Sequence, residues 1–300
     1  MPKISYPVIK IILGPTASGK SRLALEWARR QRAVRGITPQ IINADAMQQY
    51  RPLRILTARP TEVEEAEFPH LLYGVYEPHQ ISTAAGWREA VLAILRRDPG
   101  IPTVIVGGTG LYVQALTEGL SPIPTVLPEF RRAAMARLAE LGPVAFHGEI
   151  ARFDPSAAGV IRPSDRQRMV RAWEVFHATR QPLSHWQALP RAGRPVGLDF
   201  EIEVVTLPRP ILVERINRRV ETMIATGAVD EVRRLMEFTA PLAPDLPMMK
   251  AIGVSSLLAH LRGELALSDA VAEIQQQTRS YAKRQMTWLR GVAGSLQTLS

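Results

Sequence analysis

The stretch that most constrains the fold is residues 14–21, which reads GPTASGKS and fits the phosphate-loop pattern G-x-x-x-x-G-K-[ST] at every fixed position. An apolar, β-branched run precedes it at residues 8–13, and residues 21–28 follow with helical periodicity. The chain therefore enters the loop from a strand and leaves it in a helix. Backbone N–H groups curled at the start of a helix bind a di- or triphosphate. The predicted phosphate site comprises Gly14, Pro15, Thr16, Ala17, Ser18, Gly19, Lys20 and Ser21, with the Ser21 hydroxyl available to Mg²⁺.

A second predicted strand, residues 40–45, ends in a carboxylate, Asp45. Ligands of parallel α/β folds collect at the carboxyl ends of strands, so we expect Asp45 to lie near the phosphate loop. A third strand, at residues 101–106, is followed by Gly107, where ATP hydrolases of this fold usually carry an aspartate for the Mg²⁺ shell. Asp45 is therefore the best-placed carboxylate, and the loop can hold a diphosphate leaving group without hydrolysing ATP.

The alternation of strands and helices stops at the proline-punctuated segment 121–128 and resumes with a strand pattern at 200–207. Between them, residues 129–141 and 166–179 have helical patterns. We predict an α/β fold, in which a P-loop-type parallel sheet is flanked by helices and interrupted by a mostly α-helical insertion domain. The predicted divisions are 1–122 for the first part of the core, 123–198 for the insertion, and 199–300 for the rest of the core with a basic C-terminal helix.

Composition excludes several classes of protein. Hydrophobic residues make up 46% of the 300 residues, yet no run approaches eighteen apolar residues, so we expect no membrane span. The chain has no cysteine, which excludes disulfides and thiolate chemistry. Residues 1–7 lack the layout of a secretory signal peptide, so we expect a cytoplasmic location. The six histidines form no H-x-x-x-H pair, so a dedicated zinc site is not expected.

The chain is strongly basic, with 37 Lys and Arg against 28 Asp and Glu and a net charge of +9. Arginine dominates, which favours phosphate and nucleic-acid partners, although a GC-rich genome would produce the same bias. Basic residues outnumber acidic ones within 128–180 and again from Arg279 onward, where Tyr281 and Trp288 are interleaved. These segments indicate RNA-binding faces. A solvated helix face or compensation of a helix dipole is the alternative explanation.

Several motifs in this order resemble the tRNA dimethylallyltransferase family, also called tRNA isopentenyltransferases. The resemblance runs nearly from end to end. The chain departs from the family pattern at Ala46, where members often carry serine, and after Gly253, where a Gly-Tyr-Lys-like step is common. The motifs are residues 14–21; NADAMQQY at 43–50 with TARP at 57–60; VGGTGLY at 106–112; DRQR at 165–168 with PLS at 182–184; and AKRQMTWLR at 282–290.

The resemblance implies transfer of a dimethylallyl group from dimethylallyl diphosphate to the exocyclic amine of the adenosine just 3′ of the tRNA anticodon, with Mg²⁺. An adenine amine must lose a proton as its new bond forms, and a nearby carboxylate meets that need. We therefore assign Asp45 as general base, with a structural or Mg²⁺-binding role as the alternative. We expect the loop, Lys20, Thr16 and Arg219 to stabilise the diphosphate, with Arg215 as a second candidate; an ordinary ion pair remains open for either arginine.

By resemblance, the tRNA path involves the anticodon stem-loop and segments from both the core and the insertion. We expect a monomer. Two other functions fit the motifs: a small-molecule kinase that uses ATP, or a prenyltransferase that acts on free adenine nucleotides. A non-catalytic RNA-binding module is a further alternative. The residues expected along the tRNA path are Asp45, Ala46, Met47, Gln48, Thr109, Arg131, Gln167, Arg168, Met169, Val170, Arg171, Lys250, Gly253 and Arg284.

Overall fold

A computed structural model describes residues 8–238 and 246–297, with side chains described as far as residues 236 and 291. The signal-peptide expectation for residues 1–7 falls outside the described residues. The chain divides into two compact units. One comprises Met1–Thr117 together with Pro195–Ser300, and the other comprises Glu118–Arg194. The division thus lies a few residues before each of the insertion boundaries, 123 and 198, drawn from the sequence.

The first unit is built on a five-stranded parallel sheet with strand order β3-β2-β4-β1-β5. A helix connects each of the first three strands in the chain to the next one, because parallel neighbours require a crossover connection. The strands are β1 (Ile9–Leu13), β2 (Gln40–Ala44), β3 (His70–Leu71), β4 (Thr103–Gly107) and β5 (Phe200–Val204). The helices are α1 (Lys20–Arg35), α2 (Glu62–Glu67), α3 (Ala84–Arg97), α4 (Gly110–Thr117), and, in the later part of the chain, α9 (Arg209–Ala225), α10 (Ala228–Phe238), α11 (Val254–Leu261) and α12 (Leu267–Gln297).

The three inner strands are buried along their whole length because helices cover both faces of the sheet. One face packs on α3, α4 and the end of α12 through residues such as Ile11, Ile105 and Trp87, and the other packs on α1 through Ile12 and Val104. The edge strand β5 instead alternates buried and exposed residues, as a half-covered strand does. The two-residue strand β3 was not predicted, because a pairing this short leaves no periodicity.

The second unit contains the helices α5 (Pro128–Phe153), α6 (Pro155–Val160), α7 (Arg166–Thr179) and α8 (Leu183–Ala188). The α7 bounds agree with the helical pattern at 166–179, and its Met169 and Trp173 lie in the core of this unit. Helix α5 continues twelve residues beyond the predicted end at Leu141. Its backbone breaks at Gly142, which has φ +73° and is followed by Pro143, so two helical segments meet there. No helix in the described residues is long and apolar enough to cross a membrane.

Candidate active site

The phosphate loop connects β1 to α1 through a backbone that curls at two left-handed residues, Ala17 at φ +62° and Gly19 at φ +96°. A non-glycine residue in this region costs roughly 1 kcal/mol, so surrounding contacts must hold the loop. At the start of the loop, a Cβ on Gly14 would lie 2.7 Å from Ser18 Oγ and 2.9 Å from the Val205 carbonyl oxygen. No side chain caps the start of α1. Its first N–H groups are therefore available to an anion.

A glutamine from the far end of the chain fixes this loop. Gln285 of α12 accepts a hydrogen bond from the Thr16 N–H at 2.9 Å and donates one to the Gly108 carbonyl at 3.0 Å. Its side chain is buried. A Cβ on Gly108 would overlap the Gln285 amide, so the glycine permits this approach. Gln285 therefore joins the phosphate loop to the turn after β4. Sequence reasoning included it in a motif but gave it no role.

Asp45 lies at the carboxyl end of β2, where a buried asparagine orients it. The Asp45 N–H donates to Asn43 Oδ1 at 2.8 Å, and Asn43 Nδ2 donates to the Asp45 carbonyl at 2.9 Å. Trp87 Nε1 donates to the Asn43 carbonyl at 2.6 Å from the buried side of the sheet. The Met47 N–H then donates to Asp45 Oδ1 at 2.9 Å. The carboxylate is thus held on a rigid strand end.

Gly107 occupies the strand end where a hydrolase would carry its aspartate, and the structure gives the reason. β4 passes so close to β2 that a Cβ on Gly107 would overlap the Ala44 carbonyl oxygen and Cα. The Thr109 N–H also donates to that carbonyl at 3.0 Å. No side chain of any kind fits at residue 107. This close packing brings the turn after β4 next to the Asp45 loop.

The loop and the carboxylate open into one pocket of about 330 Å³. Helix α9 contributes Arg215 and Arg219, one turn apart, and the Arg215 guanidinium lies 3.4 Å from the Ser18 carbonyl. The pocket therefore brings together the predicted general base and the predicted diphosphate ligands. Its lining comprises Thr16, Ala17, Gly19, Lys20, Ser21, Arg22, Asp45, Gln48, Thr57, Arg215 and Arg219.

The pocket is short of negative charge. Four cationic side chains and one carboxylate line it. Burial is the main cause of a Lys20 pKa lowered to about 8; the Asp45 charge opposes this shift, and the Arg219 charge adds to it. Burial likewise lowers the pKa of Arg219. Lys20 donates a hydrogen bond only to the Pro15 carbonyl, at 3.2 Å, among the described residues. Cations confined with so little compensation favour an anionic ligand.

The described residues contain no group of three or more His, Asp or Glu side chains that could hold a metal ion by themselves. The pocket nevertheless offers the Ser21 hydroxyl and the Asp45 carboxylate, which are oxygen donors of the kind that Mg²⁺ prefers. Mg²⁺ usually keeps several waters and takes further ligands from a substrate phosphate. This donor set therefore fits a Mg²⁺ ion that arrives with a diphosphate.

A loop that lines the pocket depends on a buried carboxylate that sequence reasoning missed. Glu231 of α10 accepts three backbone N–H donors, from Arg54 and Ile55 at 2.7 Å and from Leu56 at 2.9 Å. The next residue, Thr57, lines the pocket, and its carbonyl accepts from Gln48 Nε2 at 2.9 Å. Helix α10 thus positions the loop at residues 54–57, which lines the pocket through Thr57. An acid in an amphipathic helix gives no sequence signal of such a role.

The residues expected along the tRNA path fall in both units. In the first unit, Ala46, Met47 and Gln48 adjoin Asp45, and Thr109 Oγ1 accepts the Ala46 N–H at 3.1 Å. Lys250 and Arg284 are exposed, and the Arg284 guanidinium lies 5.7 Å from the Tyr281 ring centroid. Gly253 is buried, is the N-cap residue directly before α11 and has φ +99°.

In the second unit, Gln167 and Arg168 are exposed on α7, whereas Met169 and Val170 are buried in the core. The side chains of Met169 and Val170 therefore face the helical core and not solvent. Arg171 Nη1 lies 2.7 Å and Arg131 Nη1 3.7 Å from the carboxylate of Glu174, which is itself buried. One buried carboxylate thus orients both predicted arginines.

A family model described as IPP transferase matches residues 48–292. The chain belongs to the IPP transferase family. It is 48% identical over 286 residues to a tRNA dimethylallyltransferase of Rhodospirillum centenum, an alignment that covers 95% of this chain and 88% of that relative. It is 47% identical over 287 residues to a tRNA dimethylallyltransferase of Phenylobacterium zucineum, covering 95% and 90% of the two chains.

Solved structures of the family agree with the fold. The chain is similar to the crystal structure of a tRNA delta(2)-isopentenylpyrophosphate transferase from Staphylococcus epidermidis, with 29% identity and a TM-score of 0.62. That similarity covers 94% of this chain and 90% of the other. The resemblance drawn from the motifs, and the fold class predicted with it, are confirmed. This member of the IPP transferase family therefore has a pocket in which the phosphate loop faces a strand-end carboxylate.

Proposed function

We propose that this chain is a tRNA dimethylallyltransferase. It transfers the dimethylallyl group of dimethylallyl diphosphate to the N6 amine of the adenosine immediately 3′ of the anticodon. The products are N6-isopentenyladenosine in tRNA and free diphosphate. The observation that carries the proposal is the pocket in which Asp45 faces the phosphate loop and the cations Lys20, Arg215 and Arg219. A diphosphate-binding surface and a proton acceptor in one pocket match the two demands of this alkylation.

In the reaction, the N6 nitrogen attacks C1 of the dimethylallyl group, and the bond between C1 and the bridging oxygen breaks. The electron pair of that bond leaves with the diphosphate. The N6 proton passes to the Asp45 carboxylate, whose strand-end position is fixed by Asn43 and the Met47 N–H. The target base must leave the anticodon-loop stack to reach Asp45, as in other enzymes that act on an extruded base.

The leaving diphosphate gains negative charge as the C–O bond breaks. The N–H groups at the start of α1, the Lys20 ammonium and the Arg219 guanidinium stabilise that charge, and Thr16 and Arg215 lie beside them. Because these groups already carry uncompensated positive charge, they do not have to reorganise as the charge develops. When bound, Mg²⁺ would neutralise diphosphate charge, held by the Ser21 hydroxyl together with diphosphate oxygens and water.

We propose that the basic side chains Arg131, Arg168, Arg171 and Arg284 bind phosphates of the tRNA and position it. The loops around Asp45 and Thr109 then contact the target base. Single-stranded anticodon loops suit this recognition, because their bases can be unstacked and read individually. We further propose that the enzyme acts as a cytoplasmic monomer.

The test is an incubation of purified protein with Mg²⁺ and one of two acceptors, a tRNA transcript or adenosine monophosphate. Each acceptor is supplied with dimethylallyl diphosphate or with ATP, and nucleosides are analysed by mass spectrometry. We expect isopentenyladenosine only from tRNA with dimethylallyl diphosphate. Prenylated adenosine monophosphate would favour the free-nucleotide prenyltransferase. Consumption of ATP without any prenylated tRNA would refute the proposal and favour a kinase.

A further inference from the structure

A second groove lies between α9 and α12, outside the catalytic pocket. It has a volume of about 490 Å³, larger than that of the catalytic pocket, and the two linings have no residue in common. Its floor is apolar: Leu212 and Ile216 of α9 are buried, and the half-buried side chains of Leu207, Val213 and Met286 extend it. We call this surface the α9–α12 groove. A concave apolar surface that opens to solvent is typical of a binding site.

Positive charge surrounds this apolar floor. Arg209 at the start of α9 lines the groove, as do Arg279, Lys283 and Arg290 of α12, and none of the described lining residues is acidic. Three of these cations are exposed, and Arg279 donates to the neutral Asn217 Oδ1 at 2.8 Å. None of the four forms an ion pair with a carboxylate of the described residues. Charge complementarity therefore requires an occupant that is acidic as well as apolar.

Helix α12 presents its basic segment on two nearly opposite faces. Trp288 packs on the turn after β4, where a Cβ on Gly110 would overlap its ring. Met286 and Arg290, which line the groove, are each two positions from Trp288 and so lie about 160° around the helix from it. The groove face of α12 is therefore a separate surface from the face that packs beside the Asp45 loop.

The spread of the charges distinguishes between kinds of occupant. Arg279 and Arg290 are separated by eleven positions in the sequence, which is about 16 Å along α12 at 1.5 Å per residue. A fatty acid or a prenyl diphosphate carries its charge at one end, whereas these cations are distributed along the groove. Single-stranded RNA binds on aromatic side chains that stack with its bases, and the described lining has none. An amphipathic helix with carboxylates beside its apolar face matches both the floor and the cations.

We propose that the α9–α12 groove docks an acidic amphipathic helix of a partner protein. The apolar face of that helix packs on Leu212, Ile216 and Met286, and its carboxylates pair with Lys283 and Arg290. Apolar contact supplies most of the affinity, while the charges select the partner and accelerate association. Because the groove and the catalytic pocket share no lining residue, a docked helix leaves the pocket open. Docking there does not depend on the transferase activity.

The probe is a fluorescein-labelled peptide of about 18 residues, five turns of helix, stapled so that it is helical before it binds. Leucines spaced at i, i+3, i+4 and i+7 form its apolar face, and glutamates flank them. One control peptide has lysine in place of each glutamate, and the other has glutamine in place of each leucine. In fluorescence anisotropy, wild-type protein should bind the first peptide only, and added salt should weaken that binding.

The glutamine peptide keeps the charge of the probe, so its failure to bind excludes a general attraction to a basic protein. Equal binding of the probe and either control peptide would overturn the inference. No binding of the probe would have the same meaning.

Arg290→Glu tests where the peptide binds, and Arg30→Glu is the matched control. Both residues are exposed helical arginines without an ion pair among the described residues, and Arg30 lies on α1, which does not line the groove. We expect Arg290→Glu to raise the Kd of the probe about fivefold, because repulsion replaces attraction, and Arg30→Glu to raise it by less than about twofold. Equal effects of the two variants would place the binding elsewhere and refute the inference.

Two other occupants have their own signatures. Displacement of the probe by an anticodon stem-loop would make the groove an RNA surface. A dimer in sedimentation velocity that Arg290→Glu abolishes would make it a contact between two copies of this chain. Either result would contradict the proposal. If Arg290→Glu fails to fold, the three peptides still test the proposal on wild-type protein.

Discussion

Lys20 makes a stability test of the phosphate site possible. Its ammonium is confined beside Arg219, donates one hydrogen bond to the Pro15 carbonyl, and has a pKa lowered to about 8. A lysine whose folded pKa lies below its unfolded value opposes folding while it carries its proton. We predict that Lys20→Met, which keeps the apolar stem and removes the charge, increases the free energy of unfolding at pH 7 while diphosphate binding is lost.

The magnitude follows from the shift. A fall of the pKa from 10.5 to about 8 corresponds, at about 1.4 kcal/mol per unit, to a ceiling of about 3.5 kcal/mol. Two effects reduce it. The side chain lines an open pocket, so solvent screens part of the penalty, and the Pro15 carbonyl loses a donor that contributes about 1 kcal/mol. The expected net gain for Lys20→Met is therefore about 1 to 2 kcal/mol at pH 7.

The stability difference between wild type and Lys20→Met should also depend on pH, in a direction that follows from the lowered pKa of Lys20. In the wild-type protein, folded Lys20 loses its proton near pH 8, whereas the unfolded chain keeps it to 10.5. The unfolded state binds more protons between these values, so wild-type stability rises with pH there relative to Lys20→Met. Urea unfolding at pH 7 and pH 9.5, followed by circular dichroism, measures the difference at both ends. We expect the advantage of the variant to shrink by about 1 to 2 kcal/mol at the higher pH.

Lys283→Met provides the matched control, because Lys283 is exposed on α12 and its replacement should change stability by less than about 0.5 kcal/mol. A Lys20→Met protein that is less stable than wild type at pH 7 would contradict the reasoning. So would an advantage of the same size at both pH values. Either result would mean that Lys20 is not held in the site at an electrostatic cost.

Three further predictions concern Asp45, the close contact of β4 with β2 at Gly107, and the loop held by Glu231. Asp45→Asn should lower the single-turnover rate about 10² to 10⁴-fold, the range for a lost general base, with tRNA affinity in a gel-shift assay nearly unchanged. Gly107→Ala should cost more than about 3 kcal/mol in urea unfolding, because its Cβ would overlap Ala44, whereas Gly100→Ala, which meets no atom within 4 Å, should be nearly neutral. Glu231→Gln should cost about 1 to 3 kcal/mol, since an amide oxygen replaces a carboxylate that accepts three N–H groups.

Each of these predictions has an outcome that would contradict it. A normal rate for Asp45→Asn would remove the general base from the mechanism, and lost tRNA affinity would give the carboxylate a binding role instead. Equal stability of Gly107→Ala and Gly100→Ala would mean that the two inner strands can separate without penalty. An unchanged unfolding curve for Glu231→Gln would mean that the Arg54–Leu56 backbone does not depend on that carboxylate.

Local sequence patterns were enough to predict the phosphate loop and the approach of Asp45 to it. Both were predicted from residues that are close together in the sequence. The spacing of Gly14, Gly19 and Lys20 indicates the loop, and the position of Asp45 directly after an apolar strand indicates where its carboxylate lies. The parallel fold then brings strand ends together whatever the intervening sequence is. The helix at 166–179 was also predictable, because its apolar stripe matches the helical period.

The supporting residues could not be predicted in the same way. Gln285 bonds to Thr16 across 269 residues of chain, and no periodicity connects such a pair. Glu231 is one of three acids in an amphipathic helix, and nothing in the sequence distinguishes it from the other two. The helical segment that follows Gly142 was missed for a related reason: a Gly-Pro step predicts a helix end, and the predicted helix ends at Leu141, whereas the structure has a second helical segment directly after the break.

The hydrogen bond that joins the phosphate loop to Gln285 of α12 has a consequence for biosynthesis. The hydrogen-bond partner of Thr16 is translated 269 residues after it, and strand β5, which pairs with β1, is made only after the helical unit. A nascent chain that has not yet reached β5 and α12 therefore lacks one of the two partner strands of β1 and the residue that tethers the loop. We expect fragments that lack α12 to have no transferase activity.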